Sequence, residues 1–312
     1  MTLKIPMLNR RDFLAGAGAA GALALAGSLP TRLHAQTLAL GDASLKVVSD
    51  GNLVLPMNFL LVGREPAEIE ALLGPHGLPL DQSEPDCNVT LLQTGDRLVL
   101  FDAGAGANFQ PTAGRLLESL EAVDVDPSDI TDVIFTHAHP DHIWGTLDDF
   151  DDPLFSEARH WISQAEWDFW RADDTLAKMP EERKSFVVGA QNRFDAIEEQ
   201  ITFFKPGDEP VSGIEVVDTA GHTPGHVSFM LHGGADPLLI TGDAITHPVI
   251  SFEKPGWEIG SDQDKAQGAA TRAALMDRLA ADKVSIVGFH LPYPGIGSVE
   301  RAGSAYRFAP TA

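Results

Sequence analysis

Cysteine is almost absent: Cys87 is the only one in 312 residues. An intrachain disulfide is therefore impossible, and so is a zinc finger built on thiolates. Basic charge is scarce too, with 22 Lys and Arg against 45 Asp and Glu and a formal net charge of −23. Such a surface repels phosphate backbones, so no nucleic-acid partner is expected. A peripheral grip on anionic lipid is disfavoured for the same reason. Beyond residue 36 there is no low-complexity segment and no Pro/Gly/Ser linker long enough to separate domains. Hydrophobic residues, at 44 % against 21 % charged, suffice for a folded core.

The first residues read as an address. Asn9-Arg10-Arg11-Asp12-Phe13-Leu14 resembles a twin-arginine export signal, and a weakly apolar, Ala- and Gly-rich stretch follows from Ala15 to Leu29. That stretch, about 15 residues, is short for a bilayer span of roughly 20. Ala35 ends Thr31-Arg32-Leu33-His34-Ala35 as a small residue suited to cleavage. The expectation is a signal at 1–35 and a single folded domain at 36–312, periplasmic or secreted, with no integral membrane segment after signal removal. Loss of 1–35 would leave 18 Lys and Arg against 44 Asp and Glu, a net charge of −26. A single cysteine suits an oxidising compartment, and Cys87 itself reads as a small core residue.

A strand followed by a turn is expected over Val47–Asn52, and strands at Val89–Leu92 and Leu98–Phe101 (a hairpin through Gly95-Asp96) and at Val133–Phe135. Others fall at 158–163, Ile201–Phe204, Ile214–Asp218, Val227–Leu231, Leu238–Thr241 and Val284–Val287. Helical periodicity marks Pro111–Val123, with Leu116, Leu117 and Leu120 as its apolar stripe. It also marks Gln164–Trp170, Glu181–Gln200 and Asp262–Asp282. Both halves supply strands and helices, which fits an α+β fold of two packed sheets with helices outside.

The histidines are not scattered. Thr136-His137-Ala138-His139-Pro140-Asp141-His142 places three imidazoles and a carboxylate just past a short apolar strand. Residues two apart on extended chain point the same way, so His137 and His139 can meet one ion. Pro140 turns the chain, and Asp141 and His142 can face a second. Further ligand types recur at strand ends: His222 and His226 in Ala220-Gly221-His222-Thr223-Pro224-Gly225-His226, Asp243 in Thr241-Gly242-Asp243, and His290 in Gly288-Phe289-His290. Neutral imidazole and carboxylate suit Zn²⁺ and similar divalent ions. Glycine before His222 and Asp243 allows backbones to approach closely.

As a set, these residues resemble the metallo-β-lactamase superfamily over about residues 40–310. The resemblance implies an αββα sandwich, two mixed sheets face to face, with the site at one edge. It implies two divalent metal ions: His137, His139 and His222 on the first, Asp141, His142 and His290 on the second, and Asp243 bridging. Asp102, in Leu100-Phe101-Asp102-Ala103-Gly104, matches a further family motif that supports the site, and His226 matches a supporting histidine. The tail, His290-Leu291-Pro292-Tyr293-Pro294-Gly295 and Tyr306-Arg307-Phe308-Ala309-Pro310, is similar to that of exported methyl parathion hydrolase-like and quorum-quenching lactonase-like members. The family also allows a homodimer. Trp144, bulkier than its counterpart in many relatives, either fills core space or narrows the entrance.

The chemistry implied is hydrolysis of a neutral small-molecule ester, whether lactone, aryl ester or phosphotriester, by a hydroxide shared between the ions. Asp243 and Asp141 take the catalytic role, with Asp243 orienting the hydroxide. Zinc is the first choice of metal, and Mn²⁺, Co²⁺ or Fe²⁺ also suit these ligands. Phe109, Trp167, Trp170, Phe186 and Trp257 are candidates for an apolar entrance, each weighed evenly against a place in the core. Alternatives of the same fold are a β-lactam hydrolase and a mononuclear iron oxidoreductase like the sulfur dioxygenases.

Overall fold

The computed structural model describes residues 36–234 and 236–311, and the expected export signal at 1–35 lies outside them. Its strands are β1 (Gln36–Leu40), β2 (Ala43–Asn52), the short pair β3 (Leu55–Pro56) and β4 (Gln82–Ser83), β5 (Asp86–Thr94), β6 (Arg97–Phe101), β7 (Asp132–Ile134), β8 (Arg159–Ser163) and β9 (Ile201–Phe204). They continue with β10 (Ile214–Asp218), β11 (Val227–Leu231), β12 (Leu238–Ile240), β13 (Ser285–Val287), β14 (Ile296–Ala302) and β15 (Ala305–Pro310). One sheet runs β1-β2-β5-β6-β7-β8-β9, antiparallel up to β6 and parallel from β6 to β9. The other runs β10 to β15 in order, antiparallel except for the parallel pair β12 and β13.

Alternation along the strands sets the layers. Leu98 and Leu100 of β6 face the helical side, while Val99 and Phe101 face the second sheet. Val133 and Ile134 of β7 divide the same way. Between the sheets, Leu45, Val47, Val99, Phe101 and Ile134 meet Val216, Phe229, Leu231 and Ile240. Outside the first sheet, Leu116, Leu120, Val187 and Phe194 bring in the helices Leu116–Glu121 and Lys184–Ile197. Outside the second, the helix Lys265–Asp282 contributes Leu275, Met276 and Leu279. These four layers are the αββα sandwich expected from the sequence. Among the described residues, no helix is long and apolar enough to cross a membrane.

Two helices are shorter than their periodicity suggests. The helix expected over Pro111–Val123 spans only Leu116–Glu121, and Leu117 of its supposed apolar stripe is exposed. The cause is Asp50, buried at the end of β2. Its carboxylate accepts the backbone N–H groups of Ala105 (2.8 Å), Gly114 (3.3 Å) and Leu116 (2.7 Å). The N–H groups of Gly114 and Leu116 thus go to the Asp50 side chain, and that of Arg115 to the Asp50 carbonyl (3.2 Å), instead of to a helix of their own. The helix expected from Asp262 begins at Lys265, capped by Asp264, which accepts Gln267 N–H at 2.9 Å. The β14–β15 hairpin in the tail is a further element that local patterning does not anticipate.

Asp50→Ala would leave three inward-facing N–H groups without their carboxylate. The expected loss is about 3–5 kcal/mol of unfolding free energy, the scale of three N–H donors deprived of their acceptor. Urea unfolding followed by tryptophan fluorescence measures it, and a loss below about 1 kcal/mol would show that the loop does not depend on Asp50.

Candidate metal centre

The histidine motif begins one residue beyond Phe135, which follows β7. His222 follows β10, Asp243 follows β12 and His290 follows β13. The three strands of the second sheet run in one direction, because β10 and β12 are both antiparallel to β11, and β12 is parallel to β13. Their C-terminal ends therefore share one edge of the sandwich. The glycines before His222 and Asp243 are required there. A Cβ on Gly221 (φ +134°) would sit 2.4 Å from the backbone of Gly268, and one on Gly242 (φ +49°) 2.8 Å from His226 Nε2.

Two buried groups result, His137 with His139 and His222, and Asp141 with His142, Asp243 and His290; within each, the ligand atoms lie within 4.8 Å of one another. In the first, His139 Nδ1 is 3.0 Å from His137 Nε2 and 2.8 Å from His222 Nε2. In the second, His290 Nε2 is 3.1 Å from Asp141 Oδ2, and His142 Nε2 is 3.2 Å from Asp243 Oδ1. Asp243 reaches both groups, since its Oδ2 is 3.1 Å from His222 Nε2 and 3.3 Å from His290 Nε2. All seven expected residues come together.

Four of the imidazoles are held from behind. His142 donates Nδ1–H to Asp102 Oδ2 (2.8 Å), His222 to Asp262 Oδ1 (3.0 Å), and His290 to the Asp86 carbonyl (2.9 Å). His137 donates Nδ1–H to Thr136 Oγ1 (3.0 Å), whose hydroxyl donates to Asp102 Oδ2 (2.9 Å). With Nδ1 engaged, Nε2 of each is the atom turned inward. Asp102 sits at φ +64°, a conformation that costs an Asp little, and also accepts Thr136 N–H at 2.8 Å. His226 supports Asp243: its Nε2 accepts the Asp243 backbone N–H at 2.9 Å.

Three supports have no signature in the sequence. Glu166, buried in the helix Gln164–Arg171, accepts Ala138 N–H (2.9 Å), Gly225 N–H (3.0 Å), Thr223 Oγ1–H (2.7 Å) and Trp170 Nε1–H (2.6 Å). One carboxylate thus ties the loop carrying His137 and His139 to the loop carrying His222. Asp262 is flanked by the buried Arg272 at 3.3 Å. Thr136 stands in the chain simply as the residue before the motif. Nothing in the residues around Glu166, Asp262 or Thr136 says what each faces.

The residues fit divalent ions on chemical grounds. Asp141 Oδ2, His142 Nε2 and Asp243 Oδ1 are buried without a hydrogen-bond partner, an expensive arrangement unless a cation takes their lone pairs. Burial, together with the neighbouring imidazoles, pushes His137 and His139 well below the ordinary histidine range, so both are neutral and able to coordinate. Burial opposes ionisation of Asp243, but His290, His142 and His222 outweigh it and hold the carboxyl well below its usual value.

A cleft opens onto this cluster, with Leu53, Leu55, Phe59, Leu60 and Ile250 among its walls. Of the five aromatics proposed for an entrance, Phe109 and Phe186 line it. The other three do not. Trp170 is fully buried, Trp167 packs on Phe194 and Phe203, and Trp257 lies against Arg64 and the cluster around Leu60. Trp144 packs against the core and meets Phe109 edge-on from behind, at 5.6 Å between ring centres.

Comparison with known proteins agrees with this geometry. A family model described as the metallo-beta-lactamase superfamily matches residues 84–288. Metallo-beta-lactamase domain-containing protein 1 of Xenopus laevis is 32 % identical over 206 residues, which are 63 % of this chain and 68 % of that one. An N-acyl homoserine lactonase from a Bacillus species is 27 % identical over 160 residues, 51 % of this chain and 55 % of its own. Among solved structures, the dizinc quorum-quenching lactonase AidC, in complex with an N-acyl-L-homoserine product, superposes with a TM-score of 0.84 at 28 % identity, covering 89 % of this chain and 97 % of that one.

Thr136→Val keeps the shape of the side chain and removes the hydroxyl between His137 and Asp102. Metal affinity is expected to fall about 10–100-fold, as it does when such supporting partners are lost. Competition with a chromogenic chelator reads this directly. An unchanged affinity would mean that His137 needs no support from behind.

Proposed function

The chain belongs to the metallo-beta-lactamase superfamily, and from that premise we propose that it is a metal-dependent hydrolase that opens lactones bearing an apolar arm. The observation that carries the reading is an apolar cleft that opens onto the buried ligand groups, with His139, Asp141, His222, Asp243 and His290 in its lining. The product bound to the AidC structure, an N-acyl-L-homoserine, supports this class of substrate.

In this reading His137, His139 and His222 would hold one divalent ion and Asp141, His142 and His290 a second, with Asp243 reaching both groups. Such ions, zinc being the first choice, would supply hydroxide at neutral pH and Lewis acidity toward an ester carbonyl. The chain does the rest by placement. Asp243 is set by the His226 bond to its backbone, so its carboxylate keeps one orientation toward both ligand groups. Phe109 and Phe186 supply apolar wall to the cleft, with the Phe186 ring 5.8 Å from that of His139. No thiolate competes as nucleophile: burial pushes the Cys87 thiol up to about 12, so it stays protonated at neutral pH.

The test is kcat/KM for a hydrophobic N-acyl lactone against an aromatic phosphotriester, on metal-replete protein. The lactone is expected to win, and Asp243→Ala should lose more than the roughly 10–100-fold typical of a supporting residue. A higher value for the phosphotriester would overturn the lactone reading in favour of the other ester class.

We also propose that residues 1–35 direct twin-arginine export, on the strength of Asn9-Arg10-Arg11-Asp12-Phe13-Leu14. Replacing Arg10 and Arg11 together by Lys should retain the protein in the cytoplasm on cell fractionation. A double variant exported as well as the parent would refute it.

A further inference from the structure

One buried polar residue of the cleft belongs to neither ligand group and supports neither. His247 lies four residues beyond Asp243, ahead of the helix Ile250–Glu253. Its Nδ1 accepts two backbone N–H groups, those of Val249 and Ile250, each at 3.1 Å. The loop is tied down from the other direction as well, because Ser251 Oγ accepts the N–H groups of Thr246 (3.2 Å) and His247 (3.1 Å). An imidazole that accepts through Nδ1 carries its proton on Nε2. Burial, with the charge of His76 adding to it, lowers the His247 pKa to about 4, so at neutral pH the ring is uncharged and keeps that tautomer.

The Nε2–H has no partner among the described residues, and the ring lines the same cleft as His139, Asp141 and Asp243. His247 is 7 % exposed and its Nε2 is not among the fully enclosed atoms, so the donor faces the cleft, where a substrate oxygen can take the place of water as its acceptor. The cleft's cation does not compete for that role. The Arg183 guanidinium already donates to the carbonyls of Gly260 and Ser261 and lies over Phe59. Beside His247 the walls are apolar, with Phe59, Leu60, Ile250 and Ile259. A neutral, directed donor among such walls selects an uncharged carbonyl attached to an apolar arm.

We propose that His247 Nε2–H donates to a carbonyl oxygen of the substrate outside the ring that is opened, so that the preferred lactones carry their apolar arm through an amide. The inference rests on the lactone reading above and narrows it. His247 acts in binding and takes no role in bond breaking.

His247→Asn tests it, because Asn is a good helix cap and retains an oxygen for the Val249 and Ile250 N–H groups while withdrawing the donor from the cleft. For an N-acyl homoserine lactone, KM should rise about tenfold, the scale of one lost hydrogen bond, with kcat within about twofold. For an alkyl lactone without the amide, both constants should stay as in the parent. Equal loss on both lactones, or loss on neither, would overturn the proposal. Thermal melting of the variant, compared with His247→Ala, shows whether the cap is kept. Imidazole ¹⁵N spectra of the metal-loaded parent, with and without N-hexanoyl-L-homoserine, separate this failure from that of the functional reading. A proton on Nδ1, or an Nε2–H resonance unmoved by that compound, refutes the role of His247 whatever the activity. A parent with the Nε2–H tautomer, a resonance that moves, and no lactone turnover refutes only the lactonase reading.

Discussion

Seven ligand residues can share one buried place only if they are gripped from the side away from one another. Their inward atoms are lone pairs and negative oxygens, and left alone they would turn toward any donor in reach. The protein prevents this by engaging the far nitrogen of His137, His142, His222 and His290 with Thr136, Asp102, Asp262 and the Asp86 carbonyl. What remains turned to the centre is the set of atoms that a cation satisfies. The site is thus held in a strained electrostatic state by its surroundings, and its affinity for divalent ions is the other face of that strain.

The surroundings in turn depend on carboxylates that never touch the ligand atoms directly. Glu166 joins two ligand loops through three bonds and fastens itself to Trp170 with a fourth. Asp50 gathers three N–H groups from the segment at 105–116 and so fixes the wall behind Phe109. Each is a buried carboxyl group satisfied by several donors, an arrangement that tolerates little displacement of any partner. Rigidity at the metal centre is therefore built from the core outward. The cleft itself is walled by apolar residues from the 53–60 segment and from the loop at 246–259, both of which pack together outside the main sandwich.

Much of this was legible in the linear chain. Thr136 to His142 announces a metal site by density alone, because three imidazoles and a carboxylate so close together have few structural uses. The later ligands were placed by motif order, and the order of strands and helices matched two packed sheets with helices outside. Local propensity failed where a distant side chain competed with it: the turn of helix expected at 111–115 is drawn off to Asp50, and Asp262 leaves its helix to meet His222.

The sequence by itself determined the ligands, the fold class that strand and helix order permit, and the lack of any disulfide or thiolate zinc finger. Those are properties of neighbouring residues and of totals. Only the tertiary structure decided which carboxylates stand behind the imidazoles, which aromatics face the cleft, and that His247 lines it. Phe109 and Trp167 are equally apolar as letters, and the direction of a side chain is set by what packs against it from elsewhere in the chain. Glu166 and Asp262 look like ordinary surface acids until the loops at 138 and 222 fold over them, because a hydrogen bond across many residues leaves no local pattern.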